Sequence, residues 1–215
     1  MKYSHIIWDF DGTICNTWDG VFQSIQQVSR IHHLPTKDED IAAAIHSGET
    51  LEVALQNLFK IDNAEIIADL IKTYRSHYVA HQGELQSLFP GILKVLKICH
   101  EKGITSVICS NKGTQAVHDA LAQFEIQDFF RLVIGYEPGL PHKPSKEVFT
   151  QLIQPVMNDI PLEQILVIGD TAKDMIFAQN CGIDGCWASY GFGRKDDSMH
   201  PKYILEESSD ILMVL

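Results

Sequence analysis

Short apolar runs that end at acidic or hydroxyl-bearing residues constrain this chain more than any other feature. HIIW (5–8), TSVIC (105–109), RLVIG (131–135) and ILVIG (165–169) are bounded by polar residues or glycine, and DGCWA (184–188) is a weaker example. Such runs are too short for helices and too continuously apolar for strands with one face in water, so they read as buried parallel strands. Helix-period stretches lie between them, at 91–102, 114–124, 146–157 and 172–181. This alternation predicts an α/β fold built on a doubly wound, Rossmann-like parallel sheet.

Residues 16–85 break the rhythm. VFQSIQQVSRI, DIAAAI and AEIIADLIKTY have helical spacing and no convincing strand interrupts them, so the segment reads as an all-helical insertion after the first strand. Asp62 with Glu65 three residues on resembles a capping box, Pro35 and Gly48 punctuate other boundaries, and Phe89-Pro90-Gly91 marks the return to the core. The expected division is a catalytic core of residues 1–15 and 86–215, with 16–85 as a helical cap subdomain.

A chain of 215 residues that is 45% hydrophobic can bury one substantial core and carry a small second module. Its formal net charge of −11, with no block of Lys and Arg, argues against nucleic acid and anionic membrane surfaces as partners. No apolar run reaches the roughly 18 residues needed to cross a bilayer. The stretch MKYSHIIWDF enters core-like sequence without the apolar segment of a signal peptide, so a cytoplasmic protein is expected. The cysteines at 15, 99, 109, 181 and 186 are odd in number and form no CxxC pair, which argues for buried thiols over disulfides or a cysteine zinc site.

The acids follow the strands. Asp9-Phe10-Asp11-Gly12-Thr13 comes directly after HIIW, and Asp170-Thr171-Ala172-Lys173-Asp174 directly after ILVIG. Ser110-Asn111 follows TSVIC on the same predicted edge, where open α/β sheets bind ligands. Carboxylates gathered there would repel one another without a cation among them. The donors are all hard oxygens with no His or Cys beside them, which points to magnesium and, through it, to a phosphorylated substrate. Taken singly, Asp-x-Asp-Gly is a common turn, and Asp170 and Asp174 suit a helix N-cap and first turn. A calcium loop is excluded because its twelfth position is Gly20. The coincidence of these pieces at strand ends is what argues for a site.

With DFDGT (9–13), SN (110–111), Lys143 in HKPS (142–145) and GDTAKD (169–174) in this order, nearly the whole chain resembles the haloacid dehalogenase-like hydrolases, in particular the phosphoglycolate phosphatase-like group with a helical cap. The resemblance implies Asp9 as nucleophile, Asp11 as general acid and base, and a phosphate held by Ser110, Asn111, Lys143 and the amides near Asp11 and Gly12. It implies Mg2+ on Asp9, the backbone carbonyl of Asp11 and Asp170, with Asp174 orienting a metal-bound water or Lys143. Asp11 argues against dehalogenation and phosphonate cleavage, because relatives with those activities lack an Asp there. A small phosphorylated metabolite is the expected substrate, while a sugar phosphomutase or a phosphate-sensing protein without turnover remains an alternative.

Two departures from the family pattern, Cys15-Asn16-Thr17 and Ser145-Lys146, weaken phosphoglycolate as the substrate, and neither is expected to touch the chemistry. His77 and His81 share a helix face but have no third ligand near them in sequence. Trp18, Phe22 and Tyr190 suit packing or a pocket wall, and the Gly-rich tail at 189–194 carries no assigned chemistry. One sequence leaves the oligomeric state open.

Overall fold

The computed structural model describes residues 2–157 and 160–215. Strand β1 (His5–Trp8) leads through a tight turn into the two-residue β2 (Cys15–Asn16). Four helices follow: α1 (Trp18–Ile31), α2 (Asp38–His46), α3 (Leu51–Phe59) and α4 (Ala64–Leu85). β3 (Ser87–Leu88) returns antiparallel to β2, with Cys15 opposite Leu88, and closes the helical excursion at its base. The chain then alternates through α5 (Ile92–Glu101), β4 (Thr105–Gly113), α6 (Thr114–Gln123), β5 (Phe130–Tyr136), β6 (Ile165–Gly169), α7 (Ala172–Cys181) and β7 (Asp184–Ala188), before β8 (Tyr203–Leu205) and the short α8 (Ile211–Val214).

The main sheet is parallel throughout, in the order β5-β4-β1-β6-β7-β8. His5 lies opposite both Thr105 and Ile165, so β1 is the central strand. Alternate residues divide between two apolar clusters: Ile6, Trp8, Ile108, Leu166 and Ile168 on one face, and Ile7, Val107, Cys109, Ile165 and Val167 on the other. Burial on both faces is why these strands read as unbroken apolar runs. Because the chain winds one way from β1 to β4 and β5 and the other way to β6 and β7, the carboxyl end of β1 lies at the switch point where such sheets open a crevice.

Helices α1–α4 pack on one another around their own cluster, which includes Ile25, Val28, Leu55, Leu70, Tyr74 and Tyr78. The five cysteines are all buried and free. No helix among the described residues is long and apolar enough to cross a membrane.

The structure departs from the sequence reading in several places. The helix expected at 146–157 is a π-helical turn, Val148–Ile153, followed by a 3-10 turn, Gln154–Val156. Pro155 lacks the N–H and its ring crowds the preceding turn, so a regular helix cannot run through it. The cap of α4 is Asn63, not Asp62, and its side chain accepts from the amides of Glu65 and Ile66. The strands β2, β3 and β8 are too short to show a period and carry no signal along the chain.

Candidate active site

Asp9 continues the β1 ladder, its amide donating to the carbonyl of Ile168 at 2.8 Å. Phe10 is fully buried in the same cluster as Trp8 and anchors the loop between the two acids. Gly12 turns that loop with φ of 78°, and a Cβ there would sit 2.1 Å from Asp170 Oδ2, so only glycine fits. β4 reaches the same edge with a register shift between Cys109 and Gly113, which sets Ser110, Asn111 and Lys112 above the β1 end.

The structure brings Asp9, Asp170 and Asp174 together, with one carboxylate oxygen from each within 4.8 Å of the others. All three are buried, and so is Lys143, whose ammonium donates to Asp9 Oδ1 at 2.6 Å and to Asp174 Oδ1. The other oxygen of Asp174 accepts from the amide and hydroxyl of Thr171, at 2.9 and 2.8 Å, which makes Thr171 and not Asp170 the cap of α7. Asp170 Oδ2 accepts from the amides of Phe192 and Gly193, at 2.7 and 3.0 Å, while its Oδ1 is buried and has no hydrogen-bond partner among the described residues.

One lysine among three buried carboxylates leaves negative charge uncompensated. Burial, with Asp174 and Asp11 adding to it against Lys143, pushes Asp9 up to about 7. Burial, with Asp9 and Asp174 adding to it, holds Asp170 well above the ordinary carboxylate range, against the pull of the two amides. Burial by itself would lower Lys143, yet Asp174 and Asp9 keep it above its usual value. A buried, unpartnered oxygen beside two more hard oxygen donors fits a divalent cation.

The carboxylate of Asp11 is engaged elsewhere. It accepts from the Thr17 hydroxyl at 2.7 Å and from Lys112 at 3.1 and 3.3 Å. Lys112 is almost wholly enclosed and also donates to the Tyr78 hydroxyl at 3.0 Å, tying α4 to the site. Asn111 donates from its side chain to the carbonyls of Gly48 and Lys143 and accepts from the Lys143 amide. Its side chain therefore holds the lysine loop and is not free to meet a ligand. Ser110 is buried on the same edge, its hydroxyl accepting from the Lys112 amide at 3.2 Å.

Four contributors escaped the sequence reading. Thr17 was expected to stand apart from the chemistry and instead bonds the acid. Lys112 follows Ser110-Asn111 directly, and that adjacency on a strand end was the available signal. Tyr78 and the tail amides at 192–193 carry no local signature, because only folding brings them within reach. Trp18 packs against Phe22, His46 and Phe192. Tyr190 packs on Phe89 and donates to the Thr13 carbonyl. His77 and His81 stack ring on ring, with Ser24 at His77.

A cavity of about 510 Å³ opens from Asp9 and Asp11 between helices α1–α4 and the sheet edge. Contacts across it include the ion pair of Lys173 with Glu49 at 2.6 Å, the bond of Tyr136 to Glu52 at 3.1 Å, and His46 on the Phe192 carbonyl.

Residues 6–188 match the family profile of the haloacid dehalogenase-like hydrolases. Among curated proteins, the chain is 23% identical to Pyrophosphatase PpaX of Halalkalibacterium halodurans and covers 98% of it, and 27% identical to Pyrophosphatase PpaX of Oceanobacillus iheyensis at the same coverage, with 100% of this chain matched in each. Among solved structures, a haloacid dehalogenase-like family hydrolase from Streptococcus pneumoniae superposes with a TM-score of 0.84 at 26% identity, over 99% of this chain and 98% of that one. CbbY from Rhodobacter sphaeroides in complex with phosphate shares the fold, with a TM-score of 0.83 at 15% identity over 97% and 96% of the two chains. With its acids at the sheet's switch point and the family profile spanning nearly its whole length, this chain is an enzyme belonging to the haloacid dehalogenase-like hydrolases.

Proposed function

We propose that this enzyme is a magnesium-dependent phosphatase that hydrolyses a small phosphate monoester through an aspartyl phosphate on Asp9. The observation that carries the reading is Asp9 paired with Lys143 inside a three-carboxylate cluster at the end of β1, with Asp11 two residues on. Lys143 takes Oδ1 of Asp9, and among the described residues Oδ2 has no hydrogen-bond partner, so Oδ2 is the oxygen that attacks phosphorus. That step forms a bond from Asp9 to phosphorus and breaks the ester P–O bond, while Asp11, protonated and turned from Lys112 to the substrate, gives its proton to the departing oxygen. Asp11 then takes a proton from the water that attacks phosphorus, which frees Asp9 and releases phosphate. Lys143 and Ser110, with Gly12 and its neighbouring amides, surround the phosphoryl group, and Asn111 holds Lys143 in place.

Asp9, Asp170 and the Asp11 carbonyl would hold the magnesium, with Asp174 in support. When bound, the ion supplies charge neutralisation for the phosphoryl oxygens. Residues 16–85 act as the cap over a core of 1–15 and 86–215, closing the cavity against water. Such an enzyme works in the cytoplasm on a soluble metabolite. Inorganic pyrophosphate belongs in the substrate panel because the curated relatives carry that activity in their names.

The test is release of p-nitrophenol from p-nitrophenyl phosphate by the wild type and Asp9→Asn, with magnesium and with EDTA. Mass spectrometry of acid-quenched enzyme then looks for a phosphoryl group on the Asp9 peptide. Turnover that needs both magnesium and Asp9 supports the reading. Turnover that survives Asp9→Asn removes the covalent step, and no release from any ester removes the phosphatase itself.

A further inference from the structure

The cavity above Asp9 has two unlike ends. At its floor are the carboxylates and Lys143, and its upper wall is apolar, formed by Val21 and Ile25 of α1, Ile45 of α2, Leu51 of α3, and Ile71 and Tyr74 of α4. Every helix of the 16–85 segment contributes. These residues all belong to the helical apolar cluster or pack against it, so that cluster is left open on the side toward the acids.

The cationic groups around the cavity are already committed near the floor. Lys143 is held between Asp9 and Asp174, Lys112 is on Asp11, and Lys173 is paired with Glu49. Farther out, the exposed Arg75 faces a wall that also carries Glu52, Asp119 and Glu137. A second anionic group on the substrate would meet more acid than base, whereas an uncharged apolar body would cover Val21, Ile45, Leu51 and Ile71, which are only partly buried.

Building on the phosphatase reading above, we infer that the substrate is a phosphate monoester whose leaving group is an uncharged, ring-sized apolar body, and not a second phosphate or a small carboxylate. This separates the chain from the pyrophosphatase activity named for its relatives, and it gives the helical segment a specificity role set by those six side chains.

The test compares kcat/KM, by phosphate release with magnesium, for 2-phenylethyl phosphate, ethyl phosphate, 2-phosphoglycolate and inorganic pyrophosphate. The first two have leaving alkoxides of similar basicity, so their ratio reports binding of the ring and not intrinsic reactivity. Burial of the phenyl ring predicts a preference of roughly 30-fold over ethyl phosphate, with the two compounds that carry a second anionic group no better than ethyl phosphate. Ile71→Asn is expected to lower the phenylethyl-to-ethyl ratio several-fold. Equal rates for the two alkyl esters, or a preference for phosphoglycolate or pyrophosphate, overturn this inference and leave the phosphatase reading standing. No release from any of the four, together with none from p-nitrophenyl phosphate, overturns both.

Discussion

Lys143 neutralises only part of the charge that meets at Asp9, and two measurements follow from that imbalance. Replacing Asp9 with Asn should cut phosphatase turnover by about a thousandfold or more, because the attacking oxygen is removed while the binding groups remain. The same substitution should stabilise the metal-free fold at alkaline pH. Burial raises Asp9 from the ordinary 3.8 to about 7, so the folded state prefers the neutral acid. Its contribution is full below about 4 and is lost as pH rises to about 7, a drain on the order of a few kcal/mol. Urea unfolding in EDTA should therefore show Asp9→Asn gaining on the wild type between those limits. Magnesium should narrow the gap at pH 8 by binding the charged form. A gap independent of pH would contradict the assignment. Lys112 is a second residue-scale test. Lys112→Met strands the Asp11 carboxylate, which is only 27% exposed, and should cost about 1–3 kcal/mol in urea unfolding together with a loss of kcat.

Between elements, the contacts that hold the helical segment over the sheet differ in worth. The Lys173–Glu49 pair is about 25% exposed at each end, so Glu49→Gln should cost less than about 1 kcal/mol and move KM by no more than a few-fold. Trp18, packed against Phe22, His46 and Phe192, covers apolar surface on both sides of the cleft. Trp18→Ala should raise KM and expose α1–α3 to limited proteolysis while the sheet stays resistant, and unchanged cleavage would show that the aromatic contact does not hold the cleft shut. Within the helices, Asn63→Ala removes the acceptor for two orphan amides of α4 and should cost about 1 kcal/mol by thermal unfolding.

Over the whole molecule, the apolar residues form clusters on either face of the sheet and a separate one among α1–α4. Separate clusters permit separate openings, so hydrogen exchange should release the amides of α1–α4 at a lower free energy than those of β1, β4 and β6. Equal protection would mean a single cooperative unit. The same division explains what could be read in advance. HIIW and ILVIG were legible as strands because each is buried on both faces and so carries an unbroken apolar signal. α7 was legible because its spacing is helical, although its cap is Thr171 and not the expected Asp170. β8 and the β2–β3 pair were not, since two or three residues show no period, and β2 meets β3 only across the whole helical segment.

By itself the sequence determined the chemistry available at the sheet edge. Asp9, Asp11, Ser110, Asp170 and Asp174 each follow the end of an apolar strand run, a local rule that survives without knowledge of the partner, whereas Lys143 was marked only by the resemblance of HKPS to the family motif. Tertiary structure alone decided which charges meet. It placed Lys112, Thr17 and Tyr78 around Asp11, turned the amides of Phe192 and Gly193 onto Asp170, and left one oxygen of Asp170 without a hydrogen-bond partner among the described residues. It also set an apolar wall from four helices above the acids. Each of these depends on the distance between groups far apart in the chain, and Coulomb and hydrogen-bond energies are functions of that distance, which the order of residues does not contain.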